Sequence, residues 1–359
     1  MDKRWRELAD ILVNYSVGVQ KGDRVLITMY ETGTAPLARA CYRAAVMAGG
    51  YPHIEYLSAY LEKDLMEYGD EDQVGWINEM SLYGMEWADC YIGLRGARNP
   101  YEFAKIEGGK MAAHKKAMGK ISAARNSTRW VLTRVPNESF AQQAGMPLEE
   151  MMEFYFDSTI RNWKKERASL EAVKELLSSG SNVRVTGKET DISFQTKGRL
   201  YVAADGHINM PDGEVYTCPV EDSVNGKVYF DFPGVYAGKY IEGIRLEFKD
   251  GKLINFSAEK NEELLKEILS MDEGASTLGE FGIGLNYGIT GYCGDILYDE
   301  KIGGTIHFAM GRGYPECLGN DKSALHWDLI KDTRKEGAVY LEGKKVMENG
   351  KWFTGGEAD

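Results

Sequence analysis

Near residue 180 the hydrophobic pattern of this chain changes period, and that change constrains its architecture more than any other feature. Before it, short apolar runs alternate with helical patterns. Residues 24–29 follow a Lys-Gly-Asp turn and read as a buried strand. Residues 35–47 read as a helix closed by Gly49-Gly50, and 53–57, 90–94 and 130–133 as further strands. Trp5, Leu8, Ile11, Leu12 and Tyr15 share one face of an opening helix. Strands that alternate with helices imply βαβ units and a mainly parallel sheet. Residues 148–178 carry a charged helical pattern that reads as a bridge ending near Gly180. Beyond it come short strand-like runs at 183–186, 191–196, 227–232, 244–249 and 252–258, separated by Gly, Asp and Asn turns, with one clear helix at 261–270. The expected architecture is an α/β domain with a helical bridge over 1–180, then a β-rich α+β domain over 181–359, folded as a barrel or strongly bent sheet and carrying the functional site.

Bulk properties exclude several classes. A formal net charge of -12 over 359 residues argues against nucleic acid as a partner, because phosphate binding rests on clustered Lys and Arg. The five cysteines, Cys41, Cys90, Cys218, Cys293 and Cys317, are scattered and form no C-x-x-C, so reduced thiols are expected rather than a disulfide framework or a thiolate zinc site. The first residues lead into an amphipathic helix, not an apolar signal segment, and no apolar run approaches the roughly 18 residues that span a bilayer. A cytoplasmic protein without membrane contact is the expectation, in which the Asn126-Ser127-Thr128 sequon stays unmodified. The phosphate-cradling loop, the G-x-S-x-G elbow and H-E-x-x-H are all absent. Gly282-Ile283-Gly284 has the wrong spacing for dinucleotide binding and reads as a glycine-rich turn beside a site.

Of only five histidines, His307 and His326 stand in polar, glycine-rich segments. His326-Trp327-Asp328 is an H-x-D triplet. On an extended strand its imidazole and carboxylate point to one face and can grip a metal ion, while Trp327 turns into the core. Glu214, Glu280 and Glu300 stand in loop-like, glycine-flanked settings, unlike the charged helix faces where glutamates usually sit.

The ordered series Trp130 to Pro136, Ala144-Gly145-Met146, Thr190-Asp191, Asn209-Met210-Pro211-Asp212-Gly213-Glu214-Val215, Pro219-Val220-Glu221-Asp222, Leu278-Gly279-Glu280, Asp299-Glu300, Thr305-Ile306-His307 and His326-Trp327-Asp328 resembles the M29 family of metalloaminopeptidases over most of the chain. The resemblance implies that Glu214, Glu280, Glu300, His307, His326 and Asp328 hold two metal ions, that Glu280 touches both, and that Tyr314 is an active-site tyrosine. It also implies a homodimer that encloses its active sites. The interval from Glu300 to His307 is longer here than in some members of the family. Four carboxylates are balanced by two divalent cations, and oxygen donors with two imidazoles suit Zn, Co or Mn. The implied activity is removal of the first residue from peptides with a free N-terminus by a metal-activated water, with Tyr314 hydrogen-bonding the developing oxyanion; the general base is left open. Two rival readings use the same residues. His307, His326 and Asp328 form a 2-His-1-carboxylate set for one Fe(II) in a ring-cleaving dioxygenase of the dihydroxypyridine type, which has no need of the three glutamates together. A peptide- or metal-binding protein on an inherited scaffold is the non-enzymatic reading.

Overall fold

A computed structural model describes residues 2–354 of the chain, which divide into two compact units. The first runs to Arg161 and regains Gly206–Pro211. Its sheet has five parallel strands in the order Tyr51–Leu57, Arg24–Tyr30, Cys90–Arg95, Arg129–Arg134 and Asn209–Met210. The expected α/β wound sheet is therefore present. Its central strands are continuous apolar runs, with Val25, Leu26, Ile27, Ile92 and Leu94 buried, as strands covered on both faces require. The last strand is only two residues long and lies far downstream in sequence, so no local pattern announces it.

The second unit comprises Asn162–Asp205 and the described chain from Asp212 onward. The charged helical stretch is not continuous, and its second half belongs here. Helix Leu148–Thr159 stops because Ile160 leaves helical geometry (φ -85°, ψ 75°), and Asn162 then caps a new helix, Trp163–Ser178, by accepting from Lys165 N. Leu170, Val173 and Leu177 of that helix join the core of the second unit. The division in the structure thus falls at Arg161 rather than at residue 180.

Within this unit two antiparallel sheets share one hydrophobic core, in place of the expected barrel or bent sheet. The larger has eight strands, including Asn182–Gly187, Thr190–Gln195, Asn225–Tyr229 and Arg245–Lys249. The smaller has five, in the order His326–Asp332, Thr305–Gly311, Leu278–Gly284, Glu214–Thr217 and Val202–Ala204. Phe194 of the larger sheet meets Phe281 and Phe308 of the smaller at ring-centroid distances of 5.0 and 5.9 Å. Burying such a ring contributes about 1.5–3 kcal/mol. Among the described residues no helix is long and apolar enough to cross a membrane, and all five cysteines are buried free thiols.

Candidate metal centre

The five-stranded sheet sorts its residues by strict alternation. Ile306, Phe308 and Met310 on one strand, Phe281 and Ile283 on the next, and Trp327 and Leu329 on a third enter the core. The intervening residues therefore face the other way. Antiparallel register sets them side by side: Glu214 opposite Gly284, Tyr216 opposite Gly282, Gly282 opposite His307, Glu280 opposite Ala309, Ala309 opposite Asp328 and Gly311 opposite His326. A bulge between Leu278 and Glu280 shifts the register at the carboxylate. The polar face is thus a row of acids and imidazoles separated by glycine and alanine.

That spacing by small residues is required. A Cβ on Gly282 would lie 1.9 Å from His307 Nε2, so the imidazole lies over bare backbone. Gly282-Ile283-Gly284 is consequently not the turn expected from sequence but part of the buried strand Leu278–Gly284. Glu280 stands on that same strand and Glu214 at the start of another, so neither occupies a loop. Glu300 follows the short helix Ile296–Asp299. Gly213, with φ +114°, turns the chain into Glu214 where a side chain would meet Asn286 Cβ at 2.9 Å.

Among the described residues, donor atoms within 4.8 Å of one another form two groups: Glu214, Glu280 and His307, and Glu280, His326 and Asp328. Glu280 belongs to both. Its Oε1 lies 3.3 Å from His307 Nε2 and its Oε2 lies 3.3 Å from His326 Nε2. His307 Nε2 is also 3.5 Å from Glu214 Oε2, and His326 Nε2 is 3.5 Å from Asp328 Oδ1. Each imidazole is oriented from behind. His307 Nδ1 donates to the Glu300 carbonyl at 3.0 Å, and His326 Nδ1 donates to the Arg312 carbonyl at 2.8 Å. In neutral imidazoles this assigns the proton to Nδ1 and turns each Nε2 lone pair toward the carboxylates, as metal-ligating histidines need.

The electrostatics ask for a cation. Burial pushes the Glu214 carboxyl up to about 8, against the pull of Lys301. Burial also raises Asp328, to about 6, against the pull of His326. Burial would raise Glu280 as well, but its bonds to His307 and His326 bring it down to about 2. Both histidines are pulled down by burial and pushed up further by the surrounding acids, to about 10. Positive charge is thus strongly favoured at these imidazoles. Glu214 Oε2 is buried without a hydrogen-bond partner, an arrangement that is costly unless something binds there. The donor set and this orphaned oxygen fit divalent metal ions.

Glu300 joins neither group. Its carboxylate pairs with Lys301, which is fully buried and reaches Glu214 Oε1 at 3.4 Å. The six residues singled out from sequence therefore converge, five as grouped donors and Glu300 through Lys301 and the His307 ring. Lys301 itself, buried among acids that raise its pKa, was not recognised from sequence. Neither was Tyr216, although its place two residues after Glu214 on a strand puts it on the same face. Tyr314 packs its ring 4.7 Å from His326 and 5.3 Å from Tyr216. Burial, together with the charges of Glu280 and Asp328, raises its phenol well above the ordinary value, so it stays protonated at neutral pH.

The chain is similar to aminopeptidase 2 of Geobacillus stearothermophilus, 23% identical over 95% of this chain and 91% of that one. The structure of wild-type AmpT from Thermus thermophilus superposes with a TM-score of 0.85 at 23% identity, covering 98% of this chain and 99% of that one. The structure of 2,5-dihydroxypyridine dioxygenase from Pseudomonas putida KT2440 follows at a TM-score of 0.62 and 17% identity, covering 97% and 96%. At these identities the structural likenesses speak to fold alone. The model of the thermophilic metalloprotease (M29) family matches residues 1–352, so this chain belongs to that family.

Proposed function

We propose that this protein is a metal-dependent aminopeptidase that removes the first residue from peptides with a free N-terminus, using two divalent ions (Zn, Co or Mn). The observation that carries the reading is the pair of three-donor groups sharing Glu280. Glu214, Glu280 and His307 would hold one ion, and Glu280, His326 and Asp328 the other. Such ions, when bound, supply Lewis acidity and lower the pKa of water. The remaining work falls to the protein. The carbonyls of Glu300 and Arg312 hold the imidazoles in the coordinating tautomer. Lys301 neutralises part of the acid cluster, fixing one oxygen of Glu214 and leaving the other free. Tyr314 keeps its proton and donates a hydrogen bond to the carbonyl oxygen as negative charge develops there.

Geometry favours two ions over one, because the donors fall into two groups that share Glu280. The dioxygenase reading needs His307, His326 and Asp328 around a single iron, yet the two histidines fall in different donor groups. Elemental analysis of the metal-replete protein is expected to give about two divalent ions per chain, and unblocked peptides should be cleaved while their N-acetylated forms are not. One firmly bound redox-active iron, or equal turnover of blocked and unblocked peptides, would refute the proposal.

We also propose a homodimer. Trp76 and Tyr83 of the first unit are 52% and 62% exposed, and Tyr83 lines an apolar groove with Tyr51 and Met80. Such apolar patches mark contact surfaces. Trp87, by contrast, is partly buried, with the Arg24 guanidinium 5.7 Å over its ring. Light scattering at micromolar concentration should report twice the chain mass, and a monomer there would end this part of the reading.

A further inference from the structure

Beside the metal centre the second unit contains a cavity of about 220 Å³ that shares His326 and Asp328 as part of its wall. The rest of the wall is predominantly apolar and aromatic, formed by Val235, Tyr236, Tyr292, Ile296, Trp327 and Ile330. Two polar handles in it are already used. The Tyr292 hydroxyl donates to the Pro233 carbonyl at 3.1 Å, and the Trp327 indole N–H donates to the Val235 carbonyl at 3.0 Å. These rings therefore offer the cavity their apolar surface. No Lys or Arg lines it, and its remaining acid, Asp299, accepts from the Cys293 backbone N–H at 2.7 Å.

We propose that this cavity is the specificity pocket for the side chain of the substrate's first residue, and that it selects large apolar residues such as Leu, Met and Phe over small or charged ones. The inference rests on the aminopeptidase reading and names its substrate class. His326 and Asp328 are common to the cavity wall and to the centre. A peptide whose first residue lies at those donors has no preceding residue to accommodate, and its first side chain is the group placed beside them. An acidic side chain would face the carboxylates of Asp299 and Asp328 and no Lys or Arg. A basic one would lose its hydration here, where Asp299 is already bonded to the Cys293 N–H and Asp328 belongs to a metal-donor group. A glycyl or alanyl residue would leave most of the space unfilled, and each methylene that fills an apolar pocket typically improves discrimination about tenfold or more.

The test varies each end of the scissile bond separately. With the metal-replete protein, kcat/KM for Leu, Met and Phe as first residue should exceed that for Ala, Lys and Glu by about tenfold or more, whereas varying the second residue should matter less. Val235→Phe fills the cavity from its two-stranded hairpin. Ile296→Phe fills it from the short helix, where the native side chain is 44% exposed, so the fold should tolerate the change. Both variants should lower the Leu-to-Ala ratio of kcat/KM about tenfold while retaining their metal content. A flat or charge-selective first-residue profile, selectivity that follows the second residue, or unchanged ratios in both variants would overturn the pocket while leaving the peptidase intact. Failure to cleave any unblocked peptide would instead overturn the aminopeptidase reading, and the pocket assignment with it.

Discussion

Glu280→Ala is expected to strip the protein of both ions and to lower kcat/KM by about a thousandfold or more. The size follows from what one carboxylate does here. Its two oxygens face different imidazoles, each at 3.3 Å, and it is the residue common to both donor groups. A bridging carboxylate offsets the repulsion between two neighbouring cations. Without it each group falls to two protein donors, below the three that catalytic sites ordinarily keep. Loss of Lewis-acid stabilisation worth several kcal/mol corresponds to a thousandfold or more in rate. Elemental analysis alongside steady-state kinetics reads both effects. A variant that keeps two ions and normal turnover would show that Glu280 is not the bridge.

Tyr314→Phe should behave in the opposite way, with metal content and KM retained and kcat reduced about a hundredfold. The phenol is a poor ligand because burial and the nearby charges of Glu280 and Asp328 hold its proton in place. Those same conditions make it an effective donor to an oxygen acquiring negative charge, and removing one such donor typically costs about 100- to 1,000-fold in kcat. The ring contacts with His326 and Tyr216 survive in phenylalanine, so the substitution isolates the hydroxyl. Unchanged kcat would reduce Tyr314 to a packing residue. Lost metal would make it a ligand.

Part of the centre is legible in the sequence because it is written with period two, whereas Glu214 and Glu280, read as loop residues, also lie on strands. Ile306, Phe308 and Met310 alternate with His307, Ala309 and Gly311, and His326-Trp327-Asp328 behaves as the strand rule requires, with Trp327 buried. The wound sheet is legible for a similar reason, since its central strands are local apolar runs. What stayed hidden depends on distant contacts. Nothing near Asn209 announces that two residues pair with Leu132 and Thr133. The break at Ile160 lay within an unbroken charged pattern, with Asn162 as its single local signal. Lys301 reads as an ordinary charged residue beside Glu300 until the fold encloses it among carboxylates.

The glycine- and alanine-spaced face has a consequence for how the gene tolerates insertions and deletions. Core and chemistry occupy alternate positions of the same three strands, so a single-residue insertion or deletion inside Leu278–Gly284, Thr305–Gly311 or His326–Asp332 exchanges the two sets from that point onward. Phe308 would move toward the acids and His307 into the aromatic core. No frame-preserving insertion or deletion of one codon within these strands can spare the fold and damage only the site. Length variation in such a gene is therefore confined to the connections between the strands, where the chain can lengthen without changing which residues face inward.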